Sequence, residues 1–278
     1  MNGWASANDK DNQKGLYLAR AGLCIVCHTD YENNGKPLAG GRPMETPFGT
    51  LYSTNITPDR ETGIGKWTDK DFLRAMRKGV RPDGAHLFPA FPYTAYTNMS
   101  DRDILALKAY LFSLKPVRWK NKPVEMNAPF RWRFLLGSWK WMNLKGGPFQ
   151  ADSSQSAQWN RGAYLAQAVS HCAECHTQRD AFGGLKKDML LGGTAEGPEG
   201  ELAPNITPDN ETGVGNWSID DIAELLKSGR KPDSDDVQGL MQEIIEHGYK
   251  DMSKQDREAI ATHLRTVKPI RNKVEAED

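Results

Sequence analysis

No stretch of this sequence approaches the roughly 18 consecutive apolar residues that suggest a membrane-spanning helix, and its mean hydropathy is −0.65. The N-terminus, MNGWASANDK, has no apolar core of the kind a secretory leader carries, so no signal peptide is visible in it. Net charge is also missing, because 36 Lys and Arg balance 36 Asp and Glu. Without a basic field across the chain, nucleic acid is not an expected partner. No alternating strand pattern competes with the helical one described below. Cysteine is scarce, at 4 in 278 residues.

Those four cysteines are not scattered. They form Cys24-Ile25-Val26-Cys27-His28 and Cys172-Ala173-Glu174-Cys175-His176. Cys-x-x-Cys-His is the attachment motif of a c-type haem. Two thiols three positions apart on one helical turn reach both vinyl groups of one porphyrin, and the adjacent His lies beneath the iron as proximal ligand. A zinc site would need the two pairs to meet in space. A thioredoxin-like pair usually comes once and lacks the His. Two motifs that together use every Cys point to two covalent haem c groups, on Cys24, Cys27 and His28 and on Cys172, Cys175 and His176.

The chain also repeats itself. Asn55-Ile-Thr-Pro-Asp59 returns as Asn205-Ile-Thr-Pro-Asp209, and each continues as Glu-Thr-Gly-x-Gly-x-Trp, ending at Trp67 and Trp217. Gly15-x-Tyr17-Leu18-Ala19 returns as Gly162-x-Tyr164-Leu165-Ala166, and Met99-Ser100 as Met252-Ser253. A length of 278 residues suits two domains. The expected organisation is a first haem domain over 1–121, an aromatic and basic linker over 122–158, and a second haem domain over 159–278. Each half reads as a short helix, the haem motif, a Gly- and Pro-rich loop, a second helix, a ligand loop and a last helix. Thr68 and Asp71, and Ser218 and Asp221, make capping-box starts for the second helix. Gly79 and Gly229 are natural stops. The last helices open at Ser100-x-x-Asp103 and Ser253-x-x-Asp256, with apolar stripes at helical spacing. The expected fold class is all-α.

That order resembles two tandem class I cytochrome c domains. The likeness goes further than the fold. Trp159-Asn-Arg-Gly-Ala-Tyr-Leu, His171-Cys-Ala-Glu-Cys-His-Thr and Ala203-Pro-Asn-Ile-Thr-Pro-Asp are similar to the cytochrome c subunit of membrane-bound alcohol and gluconate dehydrogenases. Arg81-Pro-Asp-Gly-x-His-x-Phe-Pro-Ala-Phe-Pro-Tyr93 is similar too. Those subunits commonly carry three haems, and this sequence has motifs for two. The resemblance implies a bacterial periplasmic electron carrier. Its donor would be a redox partner dehydrogenase, and its downstream acceptor a quinone, an oxidase or another acceptor. Covalent haem and an oxidising compartment agree with that.

The distal ligands are less uniform. Gly79-x-Arg81-Pro82-Asp83 matches Gly229-x-Lys231-Pro232-Asp233, and counting 12 residues from each Gly reaches Phe91 and Met241. Met241 is the expected sixth ligand of haem 2, in a slot where the family usually has Met. Phe91 breaks the family pattern Pro-Ala-Met-Pro-Tyr and has no atom that ligates iron. Three arrangements then stand for haem 1: ligation by Met99, ligation by His86, or an open iron. Met99 also reads as a hydrophobic staple before a helix cap, a place that Met252 repeats.

Other residues carry paired readings. Asn55, Trp67, Asn205 and Trp217 suit a haem pocket through propionate hydrogen bonds and ring packing, while Asn-Ile-Thr-Pro-Asp equally suits turn chemistry. His171 is not expected to ligate, and His247 and His263 are expected on the surface or facing a partner. The linker segment Phe130-Arg-Trp-Arg-Phe-Leu-Leu-Gly-Ser-Trp-Lys-Trp-Met142 suits a patch for a dehydrogenase or for peripheral membrane association. It equally suits a connector packed across both domains. The sequence supports electron transfer most directly and shows no catalytic constellation. An open haem 1, flanked by His86 and Tyr93, would instead suit a haem enzyme or a gas or peroxide sensor.

Overall fold

The computed structural model describes residues 7–275; residues 1–6, on which the reading of the N-terminus partly rests, and 276–278 lie outside the described residues. In the first half, α1 (Ala7–Ala21) packs across α5 (Asp101–Ser113). In the second, α7 (Ala157–Tyr164) packs across α10 (Lys254–Leu264) in the same way. The reason both pairs cross so closely is a glycine. A Cβ on Gly15 would sit 2.1 Å from the Ala106 carbonyl oxygen, and one on Gly162 would sit 1.8 Å from that of Ala259. The repeat offset is 147 at these glycines and 148 at the first cysteines. That one extra residue is absorbed where α7 widens into a π-helical turn over Leu165–Val169.

The middle helices follow the caps. In α3 (Asp69–Lys78) and α8 (Ile219–Ser228), Thr68 with Asp71 and Ser218 with Asp221 form complete capping boxes. Gly79 (φ 57°) and Gly229 (φ 83°) end the helices in the left-handed region, where an L side chain is strained. Beyond them the halves diverge. The first has only α4 (Tyr93–Tyr96), while the second has α9 (Gly239–His247).

The fold is mostly helical but not all-α, which corrects the expectation. β1 (Pro43–Thr46) pairs antiparallel with β2 (Gly49–Tyr52), with Pro43 opposite Tyr52, and β3 (Glu125–Met126) adds to β2 with Gly49 opposite Met126. Each strand is too short for an alternating pattern, and the third comes from the linker more than 70 positions later. In the second half, the described residues at the matching place show only a bridge between Thr194 and Ala203.

The halves meet about an approximate two-fold axis, and the contacts across it come in pairs. Tyr17 donates its hydroxyl to Asp256 at 2.5 Å, and Tyr164 donates its own to Asp103 at 2.5 Å. Burial and then the carboxylate bond push both phenols up to about 12, so each stays a donor. Within each half the same carboxylate takes a cation, Lys14 on Asp103 and Arg161 on Asp256. Ser100 and Ser253 cap α5 and α10, accepting from the amides of Asp103 and Asp256, each at 3.1 Å. Their own backbone N–H groups point to the opposite half's tyrosine oxygen, at 3.2 Å for Ser100 and 3.4 Å for Ser253. Each last helix is therefore capped partly from the other half.

Candidate haem sites

The two motifs are presented by the same local device. The residue before the first Cys has positive φ, 58° at Leu23 and 41° at His171. For non-glycine residues this conformation costs energy and persists only where the surroundings impose it. It turns the chain sharply at the end of the first helix. Cys24 and Cys27 then lie on the single turn α2 (Cys24–Cys27), and Cys172 on a 3₁₀ turn over Cys172–Glu174 that leads into Cys175.

All four thiols are free. Burial pushes Cys24 and Cys175 up to about 12 and Cys27 and Cys172 to about 11. Thiols so far above neutrality are poor thiolate nucleophiles, which argues against a thioredoxin-like dithiol. Among the described residues, no group of three or more His, Cys, Asp and Glu side chains converges as a metal cluster would. The pairs therefore do not build one shared zinc site.

The histidines complete the fit to haem. His28 Nδ1 lies 2.6 Å from the Thr54 carbonyl oxygen, and His176 Nδ1 lies 2.7 Å from that of Pro204. A carbonyl only accepts, so both Nδ1 atoms carry the proton and each Nε2 keeps its lone pair. That is the tautomer and the orientation an iron ligand needs. Desolvation holds both rings below their ordinary value, which keeps them neutral. Paired thiols beside an imidazole fixed in this way, twice over, suit covalent haem c.

The distal loops agree as far as Leu87 and Val237. The Leu87 amide donates to Gly79 at 2.7 Å and that of Val237 to Gly229 at 2.9 Å. Four residues later in each chain segment come Phe91 and Met241. Met241, near the start of α9, lines a cavity with Cys175, His176, Pro204, Leu240 and Ile244. Phe91 packs against Tyr96, with ring centroids 5.4 Å apart. Tyr96 is buried and donates to the Gly22 carbonyl at 2.6 Å, and its counterpart Tyr249 donates to Ser170 at 3.1 Å.

Met99 is 1% exposed and directly precedes the cap Ser100; Met252 takes the same place before Ser253. Their carbonyls accept from Arg77 at 2.7 Å and from Arg257. His86 is held from outside by the linker. Lys140 donates from Nζ to its Nδ1 at 2.9 Å and to the carbonyls of Lys78 and Gly79 at 2.8 and 2.6 Å. The ammonium thus caps the C-terminal carbonyls of α3. With Nδ1 accepting, the proton of a neutral His86 sits on Nε2, the opposite tautomer to His28.

The asparagines are committed elsewhere. Asn55 Nδ2 donates to Thr62 Oγ1 at 3.0 Å and to the Val117 carbonyl at 2.7 Å, while its Oδ1 accepts from Thr57. Asn205 repeats this with Thr212, Ile270 and Thr207. Both amides tie the Asn-Ile-Thr-Pro-Asp turn to the segment leaving the last helix. Their donors are engaged within the protein, which fits turn chemistry better than propionate binding. Trp67 and Trp217 sit just before the caps of α3 and α8 and pack against the core.

Three histidine expectations change or sharpen. His263 is buried, not on the surface, with its ring edge-on to Trp159 at 4.9 Å. His247 faces the other half, stacked on Tyr31 at 3.9 Å. His171 is buried and meets Tyr96 edge-on at 5.4 Å. The interface contacts of the tyrosines escaped the sequence reading, although the repeated Gly-x-Tyr was a signal for them.

Comparison with known proteins agrees with this geometry. The chain is 43% identical to a nicotinate dehydrogenase subunit of Pseudomonas putida over 91% of its own length, which is 21% of that protein. It is 39% identical to the cytochrome c subunit of a quinone-dependent alcohol dehydrogenase of Gluconobacter oxydans, over 96% of this chain and 58% of the subunit. It is 38% identical to a diheme cytochrome c-type protein of Cereibacter sphaeroides, over 92% of this chain and 86% of that one. The chain thus spans little more than half of the alcohol dehydrogenase subunit and most of the di-haem protein. No family model matches it.

Proposed function

The chain belongs to the di-haem c-type cytochromes, and from that premise we propose that it relays electrons from a partner dehydrogenase towards a quinone, an oxidase or another acceptor in the bacterial periplasm. The observation that carries this reading is the repetition of one ligand arrangement, with both histidines tautomer-locked by backbone carbonyls, on two Cys-x-x-Cys-His motifs. Bound haem c supplies one-electron exchange between ferric and ferrous iron. The protein's part is to hold, space and tune. Cys24, Cys27 and His28 hold one group in the domain 1–121, and Cys172, Cys175 and His176 hold the other in the domain 159–278. Names of relatives as subunits of alcohol and nicotinate dehydrogenases support the choice of donor.

The two sites differ in tuning. Met241 offers a thioether to the second site, which raises its potential. Phe91 offers none to the first. Met99 shares the capping place of Met252, and His86 is engaged by Lys140 in the wrong tautomer, so we infer an iron at the first site without a thioether partner. Haem catalysis or gas sensing at that open face is the second reading, favoured by Phe91 alone.

The test is an absorption spectrum of the reduced holoprotein before and after carbon monoxide, followed by assay with peroxide and with thiosulfate. The relay reading expects about half the haem to bind the gas and neither compound to be turned over. Turnover of either would replace the relay with an enzyme. Gas binding by no haem would return a sixth ligand to the first site.

A further inference from the structure

The linker has two faces, and only one is explained by the fold. Its inner face is a connector. Trp139 meets Tyr93 of the first half edge-on at 6.2 Å and donates from its indole to the Phe182 carbonyl of the second at 2.8 Å. Lys140 reaches under α3 as described. The outer face, formed by the 3₁₀ turn Arg133–Leu135 and α6 (Leu136–Asn143), is different. Phe134 is 72% exposed and Trp141 is 84% exposed, and Leu135 and Met142 stand out beside them. Phe134 stands on the 3₁₀ turn and Trp141 on the helix that follows it directly. Phe182 of the second half, whose backbone carbonyl takes the Trp139 bond, is itself 72% exposed next to the linker.

Charge is as lopsided as exposure. Residues 115–145 carry eight Lys or Arg and one acidic residue, Glu125, in a chain whose net charge is zero; of the eight, Lys140 and Arg133 bond inward to the first half. Arg131 and Lys145 flank the outer face and are exposed, and Lys186 and Lys187 are exposed beyond Phe182. Large apolar side chains on a monomer's surface are ordinary when single and informative when contiguous. Protein hot spots sit in packed pockets and among complementary grooves. This surface instead raises rings outward from a helix lying along the body, with cations around them. Protruding Trp and Phe with a basic surround match an interfacial helix on an anionic bilayer.

We propose that the outer face of the linker docks on an anionic lipid surface, with Phe134 and Trp141 entering the headgroup boundary and the surrounding Lys and Arg neutralising lipid phosphates. The linker is bonded to both halves, so docking there fixes the orientation of the whole chain relative to the bilayer.

The test uses the intact holoprotein and sedimentation with vesicles of phosphatidylcholine, alone or mixed with phosphatidylglycerol. The wild type should sediment with the mixed vesicles and not with pure phosphatidylcholine. The double variant Phe134→Ser, Trp141→Ser should bind at least about tenfold more weakly, with haem absorbance unchanged, as expected for side chains that stand outside the core. A second variant, Arg131→Gln with Lys145→Gln, should weaken binding chiefly at low salt. Absence of binding to the mixed vesicles, or equal binding by the double variant, would overturn the proposal. So would capture of this face by a soluble acidic protein in place of the vesicles.

Discussion

The first and second halves keep the same helix crossing, the same strained residue before the motif and the same carbonyl behind the proximal histidine, and then part after Leu87 and Val237. In the first, Pro89 and Pro92 break the loop around Phe91 and leave only the short α4. In the second, the same stretch has no proline until well beyond it and winds into α9, with Met241 near its start beside His176. The Cys-x-x-Cys-His motifs and the carbonyls behind their histidines are duplicated faithfully, while the loop that follows has diverged. A duplicated carrier with identical sites would have no built-in reason to favour one direction of electron flow. On the proposed reading, a Met241 thioether at one site and none at the other would supply one.

The shared part should break alike in both halves. Gly15→Ala and Gly162→Ala each force a Cβ into a carbonyl of the facing helix, so each should cost about 3 kcal/mol in denaturant unfolding. A large cost at one position and none at the other would mean the crossings are not equivalent. The diverged part should respond in opposite senses. Phe91→Met should raise the potential of the first site by on the order of 100 mV and close it to carbon monoxide, and Met241→Phe should lower the second by a similar amount. Potentiometric titration followed by absorbance would show both, and an unmoved potential in both variants would remove Phe91 and Met241 from the ligand slot.

A smaller asymmetry lies in acid stability. His263 belongs to α10, and the matching position in α5 is Tyr110. Burial lowers His263 from 6.5 to about 4, so it folds neutral. Between pH 6.5 and 4 the unfolded chain takes a proton that the folded chain refuses. Stability therefore falls as pH drops through that window and levels off below it. The expected loss is about 3 kcal/mol. His263→Tyr should flatten the acid limb of the unfolding curve, and an unchanged limb would assign the loss to other groups.

Much of this was legible beforehand, for physical reasons. Thioether attachment fixes the Cys-x-x-Cys-His spacing, and duplication made Thr68, Ser218, Gly79 and Gly229 readable twice over as caps and stops. The sheet was not legible, because strands of two to four residues carry no period and β3 arrives from the linker. Nor was the burial of His263, since a lone polar residue in a helical pattern does not announce which face it joins. Asn55 and Asn205 looked like pocket donors because a motif repeated beside a haem site suggests contact with it. Their amides instead close a turn onto Val117 and Ile270, partners more than 60 positions away. The loop count from Gly79 and Gly229 has structural support as far as Leu87 and Val237, whose backbone bonds keep both loops in step.

The exchanged tyrosines bear on how the chain holds together as a folding unit. Opening α10 strips Tyr17 of its acceptor, and opening α1 leaves the start of α10 with an N–H that nothing else in its own half answers. The same holds for Tyr164 and α5. Local opening in one half is thereby felt at a helix end in the other, so the natural cooperative unit is the pair of halves and not either one.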